Sequence, residues 1–252
     1  MKVIDDPASI KICANKIHQY ALLDKFRVPH IPTLFLNRGE LHHKNISKVF
    51  DTLGKPVVIK APHTSFSRYV EKAACESSFR DISKRFFKKS DVLALQKFLP
   101  TAFDWRVGVL NDEVLYVCKY MIPKGRWKHG AKLRGKSAII WGRTVAMKKN
   151  APQQVKDMAL KTCRVVGKGL YGVDIKEVNG EYVVVEVNDN PSVYAGYETD
   201  APRTCTIKSS PIYRSSSSLF SSFRHIFIPS SQFRVGGECS YVERRCQGLR
   251  VP

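Results

Sequence analysis

The segment Tyr171–Pro191, YGVDIKEVNGEYVVVEVNDNP, places oxygen-bearing side chains at spacings that suit a metal ion. Glu186 and Asn188 stand two apart in a valine-rich run, so on a β-strand both point to one face while Val185 and Val187 point to the other. A carboxylate and an amide oxygen on one face of an otherwise apolar strand suit a hard divalent cation such as Mg²⁺. Asp174, in the preceding run, would be a third oxygen ligand. Taken alone, the same pattern also fits an edge hairpin whose polar residues face water. Facing residues of a hairpin share a side, so Asp174 joins Glu186 only if one strand gains a residue. The spacing therefore predicts a three-residue loop, or a bulge at Gly180, in place of a plain Asn179-Gly180 turn.

Other elements must hold this hairpin in place. Asp6-Pro7 reads as an N-cap followed by proline at the first helical position. Ile10, Cys13, Ala14, Ile17 and Ala21 then recur at helical spacing and predict one helix to about Lys25, stopped by Pro29 and Pro32. Short strands are expected at Leu34–Leu36, Pro56–Lys60 and Tyr69–Ala73, and a helix at Ser77–Lys89. His42-His43 reads as a polar loop without metal-ligand partners. Strands follow at Val92–Leu99, Trp105–Leu110 and Val114–Met121. A basic irregular stretch, Lys124–Lys149, comes next, then a helix at Gln153–Val166 and the hairpin strands Leu170–Val178 and Tyr182–Val187. Helices mixed with antiparallel strands imply an α+β class.

Composition bounds the function. The 252 residues are 43% hydrophobic, enough for a substantial core. No apolar run approaches the ~20 residues of a membrane span and no signal peptide opens the chain, so a soluble, cytoplasmic protein is expected. Seven scattered cysteines without a C-x-x-C pair read as free thiols. The net charge of +20 invites nucleic acid, but the basic residues form no clean block, and an anionic small substrate accounts for them equally. Residues 201–252 differ from the rest. They hold 11 serines and 8 Lys/Arg against 2 Asp/Glu, with no sustained strand or helix pattern, and read as a disordered or extraneous tail.

The hairpin ending in EVNDNP resembles the metal-binding end of ATP-grasp enzymes, in particular RimK-like ligases. DDPASIKICANK, PVVIK, the SFSR loop, LALQKFLP and FDWRVGV agree with that family in type and order, so the resemblance spans about Val3 to Asp200. It implies an ATP-grasp fold of two α+β lobes, 1–98 and 99–200, with nucleotide between them, and without the domain that precedes the grasp in longer relatives. It implies that Lys16 and Lys60 grip ATP phosphates and that Ser65 and Ser67 belong to a loop closing over them. Gln96, Lys97, Phe98 and Leu99 would form a hinge contacting adenine, Asp104 a nucleotide contact, and Arg106 a phosphate or substrate contact. Asp174, Glu186 and Asn188 would bind Mg²⁺, with Mn²⁺ as an alternative. Arg126, Lys128 and His129 resemble the substrate region more weakly. Two positions depart from the family: Tyr69 stands where a glycine is usual, and Lys97 where an acid is usual. The implied activity is joining a small carboxylate to an amine, an amino acid or peptide, through an acyl phosphate at the expense of ATP. The alternative is a module that binds ATP without ligating.

Overall fold

The computed structural model describes residues 6–63, 69–132, 139–147, 149–191, 193 and 198. Apart from Lys132, Ile139 and Ile140, these all belong to one compact unit. The expected tail, residues 201–252, lies outside the described residues, as do Ser65 and Ser67.

The chain opens with two helices, α1 (Pro7–Cys13) and α2 (Lys16–Lys25), where a single one was expected. The Asp6 carboxylate caps α1 by accepting from the Ala8 and Ser9 amides at 2.9 and 3.0 Å. The break falls at Ala14-Asn15. There the Asn15 side chain accepts from the Ile17 amide at 2.9 Å and restarts the helix, since a polar side chain that bonds its own downstream backbone favours a cap over a helix interior. The expected apolar stripe is also corrected. Ile10 is 43% exposed, and Ala14 and Ala21 face solvent, whereas Lys16, Gln19, Tyr20 and Leu23 are buried.

Strands β1 (Thr33–Asn37), β2 (Val57–Lys60), β3 (Val70–Ala73) and β4 (Val92–Lys97) form an antiparallel sheet in the order β1-β4-β2-β3. Helices α3 (His43–Leu53) and α4 (Glu76–Phe86) cover one face with Ile46, Val49, Phe50, Phe79, Ile82 and Phe86, packed on Val57, Ile59, Leu93 and Leu95. His43, expected in a loop, is the first residue of α3 and hydrogen-bonds Glu76. Alternation sends Val58, Lys60, Ala94 and Gln96 to the opposite face.

A second antiparallel sheet, in the order β11-β10-β5-β6-β9, comprises β5 (Phe103–Leu110), β6 (Glu113–Met121), β9 (Thr144–Ala146), β10 (Leu170–Val178) and β11 (Glu181–Asn188). Strands β7 (Gly130–Lys132) and β8 (Ile139–Trp141) make a separate two-stranded ribbon. Helix α5 (Gln153–Val166) lies against one face of the large sheet through Val155, Ala159, Cys163 and Val166. Trp105, Val107, Val109, Val173, Ile175, Val184 and Val187 meet it there, joined by Tyr20 and Leu23 of α2. The mixed α+β class and antiparallel sheets expected from the sequence are present.

Because α2 exists as a separate helix only through its cap, Asn15→Ala should lower stability by about 1 kcal/mol. A shift in the urea midpoint at unchanged slope would read it, and no shift would show that Asn15 does not define the break.

Candidate active site

The exposed side of the large sheet is built by register. Asp174 pairs with Glu186 on β11 and with Arg106 on β5; Gly172 pairs with Asn188; Asp104 pairs with Tyr120. Period-two alternation therefore gathers Asp104, Arg106, Asp174, Glu186 and Asn188 on one face, opposite the α5 core. The sequence expectation of Asp174 beside Glu186 holds, but its device is corrected. Val178 pairs with Glu181, so Asn179-Gly180 is a two-residue turn, with φ of 53° and 82°. Pairing runs Ile175 with Val184 and then Asp174 with Glu186, so Val185 is the extra residue of a bulge. Two left-handed residues suit a tight hairpin turn, and the parity correction is made along the strand instead.

Arg106 holds Asp174 with two hydrogen bonds, from Nε to Oδ1 at 2.6 Å and from Nη2 to Oδ2 at 3.0 Å. Burial pushes the Asp174 carboxyl up, to about 6, and the guanidinium opposes that, leaving it ionised at neutral pH. Gly172 makes room for this pair. A Cβ there would lie 2.7 Å from Arg106 Nη1 and 2.6 Å from Pro191 Cβ. Asn188 Nδ2 lies 3.4 Å from both Asp174 Oδ2 and the Gly172 carbonyl.

Lys16 approaches from α2, its Nζ 3.0 Å from Glu186 Oε1 and its side chain 4% exposed. Lys60 approaches from the other sheet. It is 6% exposed, its backbone is paired within the sheet, and its ammonium makes no hydrogen bond or ion pair with a described residue. Burial pushes its ammonium down to about 8, with Glu186 raising and Lys16 lowering it in turn. A buried lysine with no ion pair among the described residues is costly to folding and is the kind of group that functional sites retain.

The remaining expected residues are placed as follows. Gln96 is 1% exposed and donates from Nε2 to Thr33 Oγ1 at 2.9 Å. Lys97 is exposed, and its amide donates to the Pro32 carbonyl. Phe98 turns its ring toward Trp127, centroids 6.0 Å apart, with Lys72 Nζ 4.1 Å from the Phe98 centroid; Leu99 is half-buried. Asp104 is taken up by Lys176 and Thr101, at 2.5 and 3.1 Å. The segment before the Ser65–Ser67 loop accepts from α2, Lys16 N–H to the Pro62 carbonyl at 3.3 Å, and the Tyr69 carbonyl accepts from Ala61 across its base. Tyr69 has φ of 49°, the left-handed conformation that explains the family's glycine there, and its ring packs edge-on against Phe86. Lys128 Nζ donates to the Val70 carbonyl at 2.9 Å, and His129 stacks on Tyr120 at 4.4 Å. Arg126 is exposed.

Residues that the sequence did not point to join the face. Lys176 holds Asp104, and Tyr120 donates to Glu198 Oε1 at 3.1 Å beneath the Arg106 guanidinium. Gln19 and Tyr20 reach β11 from α2. Only Gln19, a polar residue three places from Lys16, left a trace in the sequence.

The donors suit a hard cation. Two carboxylates and an amide on adjacent strands are oxygen ligands of the type Mg²⁺ takes, in a face where a buried carboxylate favours an added positive charge. Among the described residues no group of three or more His, Cys, Asp and Glu converges as a metal cluster, so the Asn188 amide is needed to complete the set.

Substituting Lys60 tests the strain in this arrangement. An ammonium depressed from 10.5 to about 8 lowers stability by roughly 3 kcal/mol below pH 8, and that penalty fades as pH rises toward 10.5. Lys60→Met should therefore be more stable than the wild-type chain at pH 7, the gap closing between pH 8 and 10. Denaturant titration across that range would show it, and a pH-independent gap would refute the assignment.

Comparison with known proteins gives the family and the fold. Residues 13–201 match the RimK-like ATP-grasp domain family. The α-aminoadipate–LysW ligase LysX of Saccharolobus solfataricus is 28% identical over 198 residues, covering 75% of this chain and 66% of that protein. Among solved structures, the D-alanine–D-alanine ligase of Bacillus anthracis matches with a TM-score of 0.58 at 16% identity, over 72% of this chain and 58% of that one. The ATP-grasp ligase PsnB complexed with minimal precursor matches with a TM-score of 0.57 at 20% identity, over 80% and 60% respectively. The chain thus spans about two thirds of the LysX relative and less of these structures. Among the described residues no helix is long and apolar enough to cross a membrane. With the family match spanning residues 13–201 of the 252, and a fold shared with ATP-grasp ligases, the chain belongs to the RimK-like ATP-grasp family.

Proposed function

We propose that this chain forms the nucleotide-binding and catalytic core of an ATP-dependent carboxylate–amine ligase, with its nucleotide between a lobe of residues 1–98 and a lobe of residues 99–200. The observation that carries the reading is Lys60, a buried cation with no ion pair among the described residues, set near the Asp174–Glu186–Asn188 face. A polyphosphate would supply the missing negative charge. Lys16, at the first turn of α2, would add a second cation from another element, and positive charge fixed around phosphate oxygens stabilises a transferring phosphoryl group.

Asp174, Glu186 and Asn188 would hold Mg²⁺ or Mn²⁺, which supplies charge neutralisation at the phosphates when bound. Lys16 would then exchange Glu186 for phosphate, and Arg106, already fixed against Asp174, would face the transferred group. Gln96 to Leu99 would border the base. Asp104 would contact the nucleotide only after releasing Lys176, so that role is the least prepared of the set. In the proposed reaction the substrate carboxylate oxygen attacks the terminal phosphorus of ATP, releasing ADP and leaving an acyl phosphate. An amine then attacks the acyl carbon, phosphate leaves and an amide forms. The name of one relative, an α-aminoadipate–LysW ligase, supports an amino acid as the substrate class. A second reading, nucleotide binding without ligation, is favoured by the closed Arg106–Asp174 and Lys176–Asp104 pairs.

The first test is ATP binding by calorimetry with Mg²⁺ present, comparing the wild-type chain with a Glu186→Ala, Asn188→Ala double variant. The expected outcome is tight binding by the wild type and at least a tenfold loss in the variant. A folded wild type that binds no ATP would end the nucleotide reading. Binding without ADP release in the presence of amino acids or peptides and an amine would select the second reading.

A further inference from the structure

Strand β11 carries two of the three proposed metal ligands at the edge of its sheet, where, among the described residues, one side has no neighbouring strand. Its outer backbone groups are nonetheless bonded. The Val184 amide donates to the Pro29 carbonyl at 2.9 Å, and the Val184 carbonyl accepts from the Ile31 amide at 3.1 Å. Further along, the Gln19 side chain takes the place of a strand. Its Nε2 donates to the Val187 carbonyl at 2.8 Å and its Oε1 accepts from the Val187 amide at 2.8 Å. The neighbouring Tyr20 hydroxyl donates to the carbonyl of the bulge residue Val185 at 2.6 Å. These two partners bracket Glu186. Gln19 is fully buried and its two bonds are closed to water, while the Tyr20 bond, from a side chain 2% exposed, is partly buried.

An amide that satisfies both polar groups of one residue ties the peptide units on both sides of it and so fixes that backbone in position and in rotation about the strand axis. Rotation matters here because a strand's side chains turn with its backbone, and Glu186 and Asn188 must stay on the face of Asp174 despite the bulge beside them. We propose that Gln19, assisted by Tyr20, is a positioning residue for the metal site: it holds the backbone on both sides of Glu186 so that Glu186 and Asn188 converge with Asp174 on one ion. The inference rests on the ATP·Mg²⁺ reading above. Lys16, Gln19 and Tyr20 follow one another at helical spacing, so one helix face both holds this strand and presents a cation to it. Partners that orient ligands in this way typically alter metal affinity by about 10–100-fold when removed.

The test measures ATP affinity by calorimetry twice for each protein, with Mg²⁺ and with EDTA, and uses the ratio as the metal-dependent gain. Gln19→Met keeps the volume and removes both bonds. The metal-dependent gain should fall at least tenfold, while affinity in EDTA stays within about twofold and the melting curve remains cooperative. Tyr20→Phe, which keeps the ring and deletes one hydroxyl, should lower the gain by a smaller factor, about threefold. It serves as the test should Gln19→Met fail to fold, because any loss of the Tyr20 contact near Gln96 affects both conditions and cancels in the ratio. A gain unchanged in a folded variant, or equal losses with and without Mg²⁺, would overturn the positioning role while leaving the nucleotide reading intact. A wild-type chain that binds no ATP in either condition would overturn that reading and this inference with it.

Discussion

One residue, Val185, decides which face of β11 carries charge. In a regular hairpin closed by Asn179-Gly180, Asp174 would face Val185, and Glu186 and Asn188 would turn into the α5 core. Sending a carboxylate and an amide into that core without partners costs several kcal/mol, and it would bring Val185 out among the charges. The bulge absorbs the extra residue, so Val184 and Val187, both 0% exposed, face inward on either side of it while Glu186 and Asn188 face outward. The hydrophobic core and the candidate site are thus two consequences of one register. The core supplies the driving force for a placement that the charges alone would not select.

The charged face is stable because its members neutralise one another. Glu186 has Lys16, Asp174 has Arg106 and Asp104 has Lys176, all at least partly withdrawn from water. Removing either member of such a pair is far more damaging than the pair is helpful, since what remains is a buried charge without compensation. Lys60 breaks the pattern. It comes from the other sheet, through Val57–Lys60 and its alternation away from α3 and α4, and forms no ion pair among the described residues. A fold selected for stability alone would place Met or Leu there. The exception makes Lys60 more informative about function than the pairs are, because the pairs have a structural explanation and the lone cation does not.

Much of this was legible in the sequence where local chemistry determined it. Asp6-Pro7 capped a helix as read, the span Gln153–Val166 emerged unchanged, and Glu186 and Asn188 share a face because strand periodicity leaves no other option. The failures have a common cause. Helix α2 buries Lys16, Gln19, Tyr20 and Leu23, two of which are polar, so a reading that equates buried with apolar chose the opposite face, Ile17 and Ala21. Those polar residues are buried because their partners, Glu186 and the Val187 backbone, lie about 170 positions away, and no local pattern encodes a partner at that distance. The same holds for the bulge. The need for an extra residue followed from parity, but its place depended on which of two turns the backbone prefers, and Asn-Gly is strong enough to keep its own turn and move the irregularity to Val185.

The long reach from α2 to β11 also couples two tasks that look separate. Cys13, Tyr20 and Leu23 belong to the core of the second sheet, so the first helices of the chain complete the sheet that its last strand closes. An edge strand left open would be exposed to slippage by one residue, and in β11 a slip of one exchanges Glu186 with the core residue Val187. Closing that edge with a side-chain amide, in place of another strand, leaves room beside β11 for a helix that also delivers Lys16 to Glu186. A paired strand would have satisfied the same backbone groups, but its own side chains would alternate above and below the sheet and could not aim a lysine along the charged face from beyond the edge. The helix accomplishes both because residues at positions i, i+3 and i+4 share a side: one turn carries the cation, and the next holds the strand against which that cation is set.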